Sequence, residues 1–125
     1  MKNVLLTEFA PAAIGPYSQG ISANKMAFIS GQLPIDPVTG NFAGDDIKMQ
    51  TKQSIMNIMA ILKSDGMTLE NVVKTTVYLK NISDFAAMNE IYGQYFKSDP
   101  PARSAIGISA LPKDALVEIE AIAAK

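Results

Sequence analysis

At 125 residues the chain has one domain's worth of length, enough to bury roughly two-thirds of its unfolded surface without staples. It contains no cysteine and no histidine, which excludes disulfides, thiol nucleophiles, thiolate metal sites and imidazole acid–base chemistry. Eleven Lys+Arg against twelve Asp+Glu give a formal charge of −1, without the basic run that binding nucleic acid by counterion release requires.

No apolar stretch approaches the ~20 residues of a membrane span, and the start MKNVLLTEFAPAA reads as an unprocessed, cytoplasmic chain. No linker or repeat divides residues 1–125, so a single domain is expected. Val4 to Leu6 form a short apolar edge. Tyr17 to Ala23 and Met26 to Gln32 read as two strands joined in a hairpin by Asn24-Lys25. LPIDPVTGNFAGDD is loop composition, ending on Asp45 or Asp46 as a helix cap. The spacing then predicts a helix over about 47–65, with Ile47, Ile55, Ile58, Met59 and Leu62 on one face and Gly66 in the position of a C′ glycine.

Val72 to Lys80 alternates β-branched and polar residues, the pattern of a central strand. Ser83 is placed to cap a second helix with Phe85, Met88, Tyr92 and Tyr95 or Phe96 along one stripe, stopped by Pro100-Pro101. Gly93 within it costs about 1 kcal/mol relative to Ala, which suggests close packing. Two further strands, about 102–109 and 115–123, flank Leu111-Pro112-Lys113-Asp114. The order β-β-β-α-β-α-β-β gives an α+β fold: a mixed sheet with both helices on one face, because crossovers between parallel strands are right-handed. The opposite face is left bare, yet the strands offer it apolar residues, so self-association is expected.

Without His or Cys, chemistry falls to carboxylates, Tyr, Lys and Arg. Glu118 and Glu120 share a face of the last strand with Leu116 and Ile122. Either both are solvated on an exposed or inter-subunit face, or one is a general base. Arg103 opens a strand expected to pair with that of Glu118, where its guanidinium could grip a carboxylate through two parallel hydrogen bonds or close a structural ion pair. Ser30-Gly31 ends a strand with exposed backbone N–H groups or forms a β-bulge. Tyr17 could present a phenol, and Asn89 reads equally as a partly buried amide with satisfied partners. A Ser–Lys nucleophile pair using Lys113 has no supporting spacing.

These residues fall in blocks that resemble the RidA (YjgF) family of imine deaminases along essentially the whole chain: AIGPYSQG at 13–20, ISGQLPIDPVTG at 29–40, DFAAMNEIY at 84–92 and PARSAIGISALPKDALVEIE at 101–120. In the last block the apolar-Glu-apolar triplet Val117-Glu118-Ile119 selects Glu118 over Glu120. The resemblance implies a chorismate-mutase-like sheet and a homotrimer with ligand clefts between subunits. It also implies that Arg103 binds a substrate carboxylate, that Glu118 handles water and protons, and that Tyr17, Ser30, Gly31 and Asn89 line the cleft. Many relatives carry Cys two residues after this Arg. Here Ala105 can contribute only its backbone N–H.

The implied reaction is hydrolysis of 2-imino acids, with no cofactor and no metal, small imino or keto acids as ligands, and neither nucleic acid nor membrane as partner. Competing expectations are a non-catalytic trimer that binds small carboxylates or acts as a chaperone-like surface, and a ribonuclease or translation inhibitor.

Overall fold

The computed structural model describes all 125 residues, and its first strands follow directly from turn chemistry. Asn24 and Lys25 both take positive φ (52° and 64°), as a two-residue hairpin turn matched to strand twist requires. They join β2 (Gly20–Ala23) to β3 (Met26–Gln32), and β1 (Asn3–Leu5) pairs with the outer side of β2. Tyr17, Ser18 and Gln19 do not extend β2 as expected. The Tyr17 N–H folds back onto the Gly15 carbonyl at 2.8 Å, a tight turn that keeps this stretch off the sheet.

Helix α1 (Ile47–Lys63) is capped by Asp46, whose Oδ1 accepts from the Met49 N–H at 2.8 Å. It stops two residues short of the expected end, where Met67 N–H reaches back to the Leu62 carbonyl and Gly66 adopts φ 72°. Ile55, Ile58, Ile61 and Leu62 are fully buried, whereas Met59 is exposed on the side away from the sheet. β4 (Val72–Leu79) follows. Ser83 is not a cap: it lies in a short 3-10 turn, Ile82–Asp84, that leads into α2 (Phe85–Tyr95) with no side-chain cap bond. Gly93 is not a close-packing site either, because a Cβ there would meet no atom within 4 Å.

β5 (Ala102–Gly107) and β6 (Val117–Ala124) complete a six-stranded sheet in the order β1-β2-β3-β6-β4-β5. β5 pairs with β4, in parallel, and not with the strand of Glu118. The physical reason is the crossover through α2, which returns the chain parallel to β4 on its free side, while antiparallel β6 fits between β3 and β4. Both helices cover one face of this α+β sheet, as expected. Ala27, Ile29, Val77, Leu79, Val117, Ile119 and Ala121 pack there against α1 and α2 in a single buried core. The other face shows Phe28, Lys74, Thr76, Tyr78, Glu118, Glu120 and Ile122, with Phe28 and Ile106 left substantially exposed. No helix is long and apolar enough to cross a membrane.

Candidate functional site

The pairing of β3 with β6 slips by one residue: Ile29 lies opposite Ala121 but Gln32 opposite Ile119, so Ser30 and Gly31 form a bulge facing Glu120. Three hydrogen bonds hold it. Ser30 Oγ donates to the Ser18 carbonyl at 2.6 Å, the Ser30 N–H to the Gln19 carbonyl at 2.9 Å, and Gln32 Nε2 to the Ser30 carbonyl at 3.1 Å. The bulge brings Gly31 under the carboxylate of Glu118, so close that a Cβ on Gly31 would lie 2.8 Å from Glu118 Cδ. Only a residue without a side chain fits beneath that carboxylate as it stands.

Around it is a depression of about 530 Å³ lined by Ile14, Tyr17, Gly31, Leu33, Ile35, Lys113, Glu118 and Glu120, among others. Burial raises the Glu118 carboxyl above the ordinary carboxylate value, and the negative charge of Glu120 adds to the effect. None of the chain's three ion pairs involves Glu118, so nothing in the same chain opposes that shift. The phenol of Tyr78 is also pushed up, first by burial and then by Glu120 and Glu118. Lys113, held in a left-handed backbone conformation (φ 56°), stands at the rim.

Arg103 lies elsewhere. It pairs with Thr75, which pairs with Ala121, and all three belong to the helix-covered face, whereas Glu118 projects from the opposite face with β4 between the two strands. Arg103 Nη1 donates to Asn89 Oδ1 at 2.7 Å. The guanidinium carbon sits 4.8 Å from the ring centre of Tyr92 and 5.5 Å from that of Phe85. Tyr92 is fixed in turn by a 2.6 Å hydrogen bond between its hydroxyl and that of buried Thr75. Burial raises the Tyr92 phenol, with the Thr75 hydrogen bond and the charge of Arg103 pulling the other way. Asn89, Gly93 and Arg103 border a second depression of about 430 Å³.

β5 is an edge strand. Just past its end the Ile108 N–H bonds to the Leu79 carbonyl at 3.0 Å, so by alternation the N–H groups of Arg103 and Ala105 point away from β4, outward along the open edge. The expected site residues thus form two sets. Tyr17, Ser30, Gly31 and Glu118 gather in the first depression, and Asn89, Arg103 and Ala105 lie on or beside β5. Arg103 and Glu118 project from opposite faces of the sheet, so an ion pair between them within one chain is excluded. Phe85 and Tyr92 are legible in the sequence only as members of one helix stripe, and their place beneath Arg103 becomes visible once β5 is docked against α2.

A family model described as endoribonuclease L-PSP matches residues 7–125. RutC family protein PH0854 of Pyrococcus horikoshii is 57% identical over 125 residues, covering 100% of this chain and 99% of that protein. The 2-iminobutanoate/2-iminopropanoate deaminase of Homo sapiens is 47% identical over 123 residues, covering 98% of this chain and 90% of that protein. The crystal structure of E. coli TdcF with bound serine matches with a TM-score of 0.95 and 40% identity, covering 98% of both chains.

Proposed function

Given that the chain belongs to the endoribonuclease L-PSP family, the RidA (YjgF) family of the resemblance above, we propose that it hydrolyses reactive 2-imino acids to 2-keto acids and ammonia. The substrates are 2-iminopropanoate, formed from 2-aminoacrylate, and 2-iminobutanoate. The observation that carries this reading is the half-buried, unpaired carboxylate of Glu118 seated over Gly31 in a depression with room for a small acid. The deaminase name of the human relative and the serine held by TdcF point to the same class of ligand.

The two sets of residues supply complementary chemistry once a second copy brings its β5 edge against the Glu118 cleft. The apolar residues on the bare sheet face favour such an assembly, and the family resemblance supports a homotrimer. Arg103, already oriented by Asn89 and Tyr92, keeps further N–H donors with which to hold the substrate carboxylate. Glu118 accepts a proton from a water whose oxygen attacks the imine carbon and passes that proton to the imine nitrogen, giving a carbinolamine with Glu118 again ionised. The carbinolamine O–H then loses its proton to Glu118, the carbonyl forms, and the nitrogen leaves as ammonia with the returned proton. Imines already react with water, so positioning and one base suffice.

The test is to generate 2-aminoacrylate or 2-iminobutanoate with a dehydratase and follow keto-acid release with and without the protein. Faster release is expected, and equal rates reject the reading. Arg103→Ala is expected to abolish turnover with the assembly intact. Glu118→Gln is expected to retain acid binding without turnover. Undiminished turnover in Glu118→Gln would remove Glu118 from the role of base. Release of fragments from RNA, with no effect on imine hydrolysis, would favour the family's endoribonuclease name instead.

A further inference from the structure

The Glu118 cleft is walled largely by irregular chain. Residues 6–19 and 33–46 contain no helix and no strand longer than a single bridge, yet Ile14 and Tyr17 from the first stretch and Leu33 and Ile35 from the second line the cleft. A ligand of about six or seven non-hydrogen atoms yields too little binding energy to order two such loops, so the protein itself must hold them.

Two buried carboxamides make the connection. Gln19, 2% exposed, accepts the Thr7 N–H at 2.8 Å through Oε1. Its Nε2 lies 3.0, 3.3 and 2.9 Å from the carbonyls of Thr7, Ala10 and Pro11. Asn57, fully buried on α1, donates from Nδ2 to the carbonyls of Leu33 and Ile35 at 3.1 and 2.9 Å, while its Oδ1 accepts from Gln53 at 2.8 Å. The backbone–backbone hydrogen bonds of the 33–44 loop run within it, as from Asp36 N–H to the Asn41 carbonyl. A third amide, Gln50, is equally buried and also makes two bonds, to the Gly44 carbonyl and the Leu116 N–H. Gly44, at the far end of this loop from Leu33 and Ile35, and Leu116 border a different depression, so Gln50 is a control for an amide that pins the same loop away from the cleft.

We propose that Gln19 and Asn57 are positioning residues for the Glu118 site, each pinning one wall loop through its backbone carbonyls so that the cleft meets a small acid already shaped. The proposal rests on the deaminase reading only for the identity of that acid. Gln19 borders the cleft but its Oε1 and Nε2 are both engaged by the backbone of residues 7–11, and Asn57 is not among the lining residues, so loosening a wall weakens acid binding and leaves the chemical step nearly intact.

The experiment uses Gln19→Glu, which keeps the acceptor and loses the donors, and Asn57→Ser, which leaves room for water at the two carbonyls. Gln50→Leu serves as the control. Affinity for 2-oxobutanoate is measured by NMR titration, KM and kcat are measured with 2-iminobutanoate, and amide exchange is followed in residues 7–14 and 33–36. The expected result is affinity weakened and KM raised about tenfold in the first two variants, with kcat within about threefold. Exchange in the pinned loop is expected to be faster and to slow again at saturating acid. Unchanged affinity, an equal loss in Gln50→Leu, or a fall in kcat without a change in KM overturns the proposal. If either variant does not fold, the other decides. If the unsubstituted protein binds 2-oxobutanoate without hydrolysing imines, the deaminase reading fails while the affinity comparison still decides this one. If it binds no acid, both fall.

Discussion

Replacing Gly31 by alanine tests the seat of Glu118 with a single methyl group. The backbone tolerates the change, since Gly31 is not among the glycines with positive φ. The new Cβ would lie 2.8 Å from Glu118 Cδ and closer still to Oε2, so one of the two must move. The carboxylate is the far end of a flexible side chain and gives way first, at about 0.5–1.5 kcal/mol if it takes a strained rotamer. For a chain of this length that lowers the melting temperature by roughly 2–6 °C. A displacement of about 1 Å at the catalytic group, by contrast, costs on the order of 100-fold in rate. Gly31→Ala is therefore expected to melt close to the parent while kcat/KM for keto-acid release falls about two orders of magnitude. The acid limb of its pH profile should also move to lower pH, because the displaced carboxylate regains water and loses the burial that raised it. A folded Gly31→Ala protein with full activity and an unshifted limb would refute the placement of Glu118 as the base.

Glu118 binds its proton more tightly in the folded chain than in the unfolded one, so stability falls as pH rises from about 4.5 through the raised folded value. In an Arg103→Ala background, where no partner cation faces it, Glu118→Gln should melt higher than its parent at pH 7, and the gap should close below pH 4. A gap that widens in acid would reverse the assigned shift. Tyr92→Phe leaves the buried Thr75 hydroxyl without its 2.6 Å partner and should cost about 1–3 kcal/mol in urea unfolding, with Thr75→Val added in the same chain recovering part of it. No recovery in the double variant would show that the loss lies in packing. Gly93→Ala adds a methyl group in open space within α2 and should stabilise by about 1 kcal/mol. A loss in thermal melts would mean that another copy packs there.

Periodicity and turn chemistry in the chain itself determined the elements and their order. The Asn24-Lys25 hairpin, a helix capped by one of the two aspartates at 45 and 46, and an alternating last strand expected over about 115–123 all depend on neighbours within a few residues, and all appear in the structure, the cap as Asp46 and the strand as 117–124. The structure departs from local pattern where a competing turn or an empty neighbourhood is invisible in one dimension. The back-folded Tyr17 turn shortened β2, the 3-10 turn displaced Ser83 from its capping role, and open space rather than contact surrounds Gly93. The resemblance named Arg103 and Glu118, but their spatial relation depended on strand order, which is a long-range property. Only tertiary structure decided that β6 lies between β3 and β4 and that β5 closes the far edge, sending the guanidinium to one face and the carboxylate to the other. A strand's side chains alternate regardless of its neighbours, but which face is buried is set by where the helices land, and no stretch of sequence carries that alone.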